Sequence, residues 1–183
     1  VAALTDPDPR VRLQAAIGLG RLGKAEGAAP LAALVADPDP LVAHDAIKSL
    51  VALRAGDVAL KAMDNADAKQ AAGLSQVLQA LHEPKVVDGL IQRLSSTQDS
   101  ERLMPVFRAL CRLYHVEHKW EGAWWGTRPD TRGPYYKPET WSESEKIGQA
   151  LTVALKAAPA DVATKMIVEL TRQRVNLAGM SDV

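Results

Sequence analysis

Apolar and small residues recur at helical spacing over the first 113 residues of the chain, in four successive columns. The members of the columns are Val11, Ala15, Leu19 and Leu22; Val42, Ala46, Leu50 and Leu53; Leu74, Leu78 and Leu81; and Val106, Leu110 and Leu113. Leucines at matching places in the columns step by 31, 28 and 32 residues. Shorter periodic stretches lie between them, over 29–35, 57–63 and 86–94. Each copy is therefore predicted to be a helix, a turn and a second helix.

The first two copies share the turn DPDP, at residues 6–9 and 37–40. The second aspartate of each turn, Asp8 or Asp39, can accept hydrogen bonds from free backbone N–H groups as a helix N-cap. The proline that follows suits the first helical position, because its missing N–H is not needed there. The turn is thus predicted to end one helix and begin the next.

A single helix pair cannot bury its apolar stripe, so neighbouring copies must stack into one continuous core. The pattern predicts an all-α fold in three regions. They are helical repeats over 1–113, an irregular insert over 114–141, and a closing helical pair over 142–183 that continues the stack.

Three features carry a family resemblance: the DPDP turn, the pair Val11 and Arg12, and the run AAIGLGRLG that ends at Gly23. Over about residues 1–55 the chain resembles HEAT repeats of the E-Z type, also called phycobilisome-lyase-like. The resemblance implies a HEAT-like solenoid, a right-handed α-α superhelix, that serves as a non-catalytic scaffold. The later copies lack the DP turn and the Val-Arg pair.

The helical rhythm stops between Tyr114 and Trp141, where three glycines and three prolines interrupt it. Seven of the chain's eight Phe, Trp and Tyr residues lie in this insert. Because disordered segments are poor in aromatic residues, an ordered loop is favoured. Two uses of the rings are open. They pin the loop to the helices as a satellite core, or they form an exposed platform for a protein, another domain of the same chain, or a sugar.

The candidate binding residues are aromatic and charged side chains of the insert. They are Trp120, Trp124, Trp125, Arg128, Asp130, Arg132, Tyr135, Tyr136, Lys137 and Trp141. Asp130 lies two residues from both Arg128 and Arg132, close enough for a charge-assisted fork. An internal strut is the favoured interpretation of that group.

The segment GAWWGTRPDTRGPYYKPETW, with the repeats before it, is similar to the HEAT-repeat portion of large secreted bacterial proteins that also carry c-type haem and dehydrogenase-like domains. This resemblance implies a fragment of a multidomain protein located in the periplasm or outside the cell. The chain holds no haem-attachment motif CxxCH, so no haem or dehydrogenase role falls on any residue, and no cofactor is expected.

After the insert, Ser142 and Glu145 have the spacing of a capping box at the head of a helix that contains Ile147, Leu151 and Leu155. Pro159 and Asp161 are then predicted to open a last helix.

Few residues suggest chemistry. His115 and His118 form a weak metal candidate, because their spacing is i, i+3 rather than i, i+4 and no third ligand is evident. Cys111 stands among apolar residues at helical spacing, which predicts a buried, inert thiol. No G-x-S-x-G, P-loop or H-E-x-x-H motif occurs, so the chain is not predicted to be an enzyme.

Charge does not point to nucleic acid or to an anionic membrane, since 22 Lys and Arg balance 22 Asp and Glu. No apolar run approaches the about 20 residues of a membrane span. The expected partners are proteins or other domains of the same chain, with a carbohydrate as the alternative. Binding of nucleic acid is the least favoured hypothesis; it would use Arg10, Arg12, Arg21, Lys48, Arg102, Arg108 and Arg112.

Overall fold

The structure is a computed structural model that describes residues 1–97, 99–119, 122, 135 and 137–177. These residues form an all-α, HEAT-like fold, in which a pair of two-residue strands is the only sheet within the described ranges. The chain divides into two compact units, Val1–Gly89 and Leu90–Val183.

The first unit is built of helix pairs. Its helices are α1 (Pro9–Leu22), α2 (Ala28–Leu34), α3 (Pro40–Ala52), α4 (Gly56–Met63), α5 (Ala68–Leu78) and the first part of α6 (Pro84–Ser96). Short 3-10 helices cover Ala2–Thr5 and Ala25–Gly27. The leading helices pack side by side, α1 against α3 and α3 against α5, while α2 packs against α4. The helix-turn-helix organisation that the periodicity predicts is confirmed.

Both DPDP turns begin helices. Asp8 Oδ1 accepts a hydrogen bond from the backbone N–H two residues on at 2.9 Å, and Asp39 Oδ1 does the same at 2.8 Å. Pro9 and Pro40 occupy the first helical positions, as predicted. The third leading helix has an aspartate cap without a proline, because Asp67 Oδ1 accepts from the N–H three residues on at 2.8 Å.

Three of the four apolar columns are buried. Their buried members are Val42, Ala46, Leu50, Leu74, Leu78, Leu81, Val106, Leu110 and Leu113. The first column differs, since Val11 is 38% exposed and Leu22 is 65% exposed. In the first unit α3 lies between α1 and α5, whereas α1 packs mainly against α3 and the preceding 3-10 helix.

Two side-chain contacts join the first and second repeats. The guanidinium of Arg12 donates from Nε and Nη2 to the two carboxylate oxygens of Asp37, at 2.9 Å each. The hydroxyl of Ser49 donates to the carbonyl oxygen of Ala16 at 3.0 Å. Gly20 leaves room for this approach, since a Cβ there would lie 2.4 Å from Ser49 Oγ. The hydrogen bond from Arg12 is the largest of the effects that lower the pKa of Asp37.

The second unit consists mainly of helices before and after the insert. It contains the last part of α6, α7 (Ser100–Leu113), β1 (Val116–Glu117), β2 (Pro138–Glu139), α8 (Ser144–Ala157) and α9 (Ala160–Gln173). Helix α7 packs against α8 and α9, and α8 packs against α9. The core of the unit includes Phe107, Leu110, Ile147, Leu151, Met166 and Leu170.

The predicted capping box at the head of α8 does not form. The helix begins at Ser144 rather than after Ser142, and Glu143 at the cap position makes no side-chain cap bond. The hydroxyl of Ser142 donates to its neighbour Glu143 at 3.3 Å instead. The local spacing matched the motif, but the start of the helix is fixed by a distant contact of Ser144, described below.

Candidate functional site

The two ends of the insert meet in a small antiparallel ladder. Strand β1 pairs with β2 in the register Val116 to Glu139. The backbone N–H of His118 donates to the carbonyl oxygen of Lys137 at 2.9 Å. The N–H of Lys137 donates in turn to Glu117 Oε1 at 2.7 Å. The ladder closes the base of the insert just beyond the end of α7.

Tyr135 packs against the last turn of α7. The residue is 7% exposed, and its hydroxyl donates to the carbonyl oxygen of Arg112 at 3.0 Å. The guanidinium carbon of Arg112 lies 3.9 Å from the centroid of the tyrosine ring, in a cation–π contact. Burial raises the pKa of the Tyr135 phenol, so the hydroxyl remains a donor at neutral pH. This ring is part of the anchor of the insert.

Trp141, the last residue of the insert, is anchored to the same turn. Its indole N–H donates to the carbonyl oxygen of Leu113 at 2.7 Å. Its backbone N–H donates to Ser144 Oγ at 2.8 Å, and the hydroxyl of Ser144 donates to the carbonyl oxygen of Tyr114 at 2.7 Å. Ser144 therefore links the end of α7 to the start of α8, and this link determines where α8 begins.

His115 and His118 have different neighbours. Nδ1 of His118 is hydrogen-bonded to Glu139 Oε1 across the ladder. The ring of His115 meets Tyr114 edge-on, with centroids 4.7 Å apart, and burial lowers the pKa of His115. Within the described residues, no group of three or more His, Cys, Asp or Glu side chains is placed to hold a metal ion.

Three of the predicted binding residues lie in the described part of the insert. Tyr135 and Trp141 are brought together at the end of α7, where they bind neighbouring carbonyl groups, and Lys137 is exposed. The others lie outside the described residues: Trp120, Trp124, Trp125, Arg128, Asp130, Arg132 and Tyr136. Tyr135 and Trp141 each donate a hydrogen bond to a carbonyl group in the last turn of α7.

A groove that the sequence analysis missed lies in the second unit, with a volume of about 930 Å³. Its walls come from α6, α7, α8 and α9, and its apolar lining includes Ile91, Leu94, Leu103, Ala150, Val153, Ala154, Ala157 and Val162. Val153 stands on the wall from α8 and is 69% exposed. Lys146, Gln149 and Asp161 add polar groups to the lining.

The sequence of α8 did carry a signal for this groove. Ile147 and Leu151 form its buried face. Ala150, Val153 and Ala154 widen this apolar face on one side, and they line the groove. An apolar face wider than a single neighbouring helix covers indicates a further contact surface.

Several basic residues proposed for nucleic acid contact carboxylates or a ring within their own unit. Arg12 binds Asp37, and Nε of Arg108 lies 3.2 Å from the buried Glu169. Arg112 lies over Tyr135. These contacts hold repeats and insert together, which weakens the hypothesis of a basic stripe.

Cys111 is buried, as predicted. Burial raises the pKa of its thiol well above the ordinary value, so little reactive thiolate forms at neutral pH.

Residues 1–71 match the family model for HEAT repeats. The repeats are HEAT-like. Among curated proteins, none matches the chain significantly. Among solved structures, the chain is similar to a crystal structure of an engineered protein, with 16% sequence identity and a TM-score of 0.41 over 92% of this chain and 75% of that chain. No helix in the described part of the HEAT-like chain is long and apolar enough to cross a membrane.

Proposed function

We propose that this chain is a non-catalytic binding module that holds a protein partner, or another domain of a larger protein, on the surface of its HEAT-like repeats. Repeats of this class commonly mediate protein–protein contacts, and stacked helix pairs offer extended surfaces for them. The observation that carries the proposal is the apolar groove of the second unit, which places the exposed Val153 among small residues.

The occupant that suits this groove is the apolar face of an amphipathic helix from the partner. Ala150, Ala154 and Ala157 line one wall with small side chains, so a helix backbone can approach closely. Lys146 and Asp161 provide one charge of each sign in the lining, which suits the polar margin of such a helix. Binding would also cover Val153.

The insert is proposed as a second contact surface of the same module. Since Tyr135 and Trp141 hold the C-terminal part of the insert to α7, the contact would be made by the exposed Lys137 and by the other predicted residues of the insert. Those residues are Trp120, Trp124, Trp125, Arg128, Asp130, Arg132 and Tyr136. The E-Z type, the parent protein of bacterial multidomain type and its location outside the cytoplasm remain parts of this proposal.

Two valines of the second unit give a matched test of the groove. Val153 lines the groove and is 69% exposed, while Val168 on α9 is 63% exposed and lies outside it. A photo-cross-linking amino acid placed at each position in the full-length protein identifies the partner in its own cells. The purified partner is then titrated against the wild-type protein, Val153→Asp and Val168→Asp.

We expect Val153→Asp to weaken binding by about tenfold or more, because it places a charge in an apolar contact, and Val168→Asp to change it less than about twofold. Equal effects of the two variants would remove the groove from the proposal. The double variant Trp124→Ala with Trp125→Ala tests the insert in the same titration. If that variant instead abolishes binding to an oligosaccharide panel, the carbohydrate alternative replaces the protein partner.

A further inference from the structure

One face of α1 is partly exposed to solvent, whereas the equivalent face of α3 is buried. The 31-residue period places Val11 at the position of Val42, and Val11 is 38% exposed while Val42 is fully buried. Leu22 occupies the position of Leu53, and it is 65% exposed while Leu53 is half-buried. The two faces therefore have the same residue types in different surroundings.

In the second repeat, the structure shows what approaches this face. Asp37 receives the guanidinium of Arg12, and Ser49 meets the backbone of Ala16 beside Gly20. The helix that covers this face of α3 is thus α1, the first helix of the preceding repeat. It contributes one arginine and two small residues to the contact.

The first repeat presents the same two receiving positions. Asp6 stands at the position of Asp37, and both carboxylates accept the backbone N–H two residues on at 2.9 Å. The two side chains are therefore held by the same local bond. Gly18 stands at the position of Ser49, and a Cβ added to it would meet nothing within 4 Å. Leu4 and Val35, which lie one period apart just before the two turns, are each 4% exposed. The chain therefore enters both turns from a similarly buried position.

We propose that this face of α1 binds a further HEAT-like helix pair, whose leading helix places an arginine on Asp6 and small residues against Gly18. The joint between the first two repeats is the template for this contact, since it continues the same interface by one period. Gly18 has no hydroxyl, so the contact would rely on the arginine–aspartate pair and on apolar contact with Val11. The helix pair is a class of partner for the proposed binding role. Its contact uses neither the groove nor the insert, so this proposal and the proposed function can fail separately.

The probe is the chain's own first repeat. A second copy of residues 4–34 inserted directly before Leu4 in the full chain keeps the 31-residue register. The Arg12 of the added copy then faces Asp6. Native-state hydrogen exchange reports the opening of the added helices separately from the rest of the protein.

We expect the added copy to be protected from exchange. Asp6→Asn keeps the acceptor for the local N–H bond and removes the charge, and it should raise the opening constant of the added helices about tenfold. Arg12→Gln in the added copy should do the same, and the two changes together should do little more than either alone. Glu26→Gln, an exposed residue away from the joint, is the control and should leave opening unchanged.

An added copy that exchanges like an unfolded peptide would overturn the proposal, as would additive effects of the two variants. A second copy of the whole chain is the competing occupant. If the unextended protein dimerises in sedimentation experiments and Leu22→Asp abolishes the dimer, the face is a self-association surface and the proposed helix pair is wrong.

Discussion

The leading helices α1 and α3 share one sequence pattern but lie in different surroundings. Each begins with an aspartate cap and a proline, and each carries apolar or small residues at the same four places. In α3 three of these places are fully buried, between α1 and α5. In α1 the only buried residue is Ala16, which faces Ser49. Burial in a repeat protein is therefore set by the neighbouring repeat as much as by the repeat's own sequence.

The largest difference between the two helices should appear at Val42 and Val11. Val42→Ala leaves a cavity in a fully packed site and should lower the free energy of unfolding by about 2 kcal/mol. Val11→Ala removes the same atoms from a partly exposed site and should cost less than about half as much. Urea denaturation followed by circular dichroism measures both values.

The extended protein described above sharpens this comparison. With an added repeat over α1, the cost of Val11→Ala should rise towards that of Val42→Ala. Equal costs in the unextended chain would contradict the view that the neighbour determines burial.

Two glycines of α1 should respond in opposite directions to the same change. Gly20→Ala forces a Cβ to within 2.4 Å of Ser49 Oγ and 3.1 Å of the Ser49 Cα, so we expect a loss of about 1–2 kcal/mol of stability. Gly18→Ala meets open space and should stabilise the helix by about 0.5–1 kcal/mol, since alanine favours helix over glycine. Thermal unfolding of the two variants shows whether each one gains or loses stability. A loss of stability for both would show that α1 is covered on both faces.

The helices and their order could be predicted because the signals are local. The four-residue DPDP turn, with its aspartate and following proline, marks where a helix starts, and the apolar columns give the helical period. Asp67 and Asp99 cap later helices without a proline, the latter by accepting from the N–H two residues on at 3.0 Å. Their single aspartates explain why the boundaries of the later copies are harder to predict.

The candidate site could be predicted only in part, because its contacts join distant residues. Tyr135 binds a carbonyl group 23 residues away, and Trp141 binds one 28 residues away. Aromatic enrichment of the insert shows that these rings matter, but it does not show that they serve as anchors. The groove arises from the spacing of whole helices, and only the wide apolar face of α8 indicates it in the sequence.

The effect that tests the joint itself is expected at Asp37. Its side chain is 4% exposed and its carboxylate accepts both bonds from Arg12. Because the pKa of Asp37 is lowered in the folded state, its ionisation stabilises the fold at pH values above the ordinary aspartate pKa of about 3.9. That contribution is lost as the pH falls through the lower, folded pKa. Asp37→Asn keeps one acceptor oxygen and should cost about 1 kcal/mol near pH 6, with the difference from wild type shrinking as the pH falls below about 4. Urea midpoints across this pH range measure it; a difference that stays constant would mean that the variant acts through packing and that the charge pair with Arg12 does not stabilise the joint.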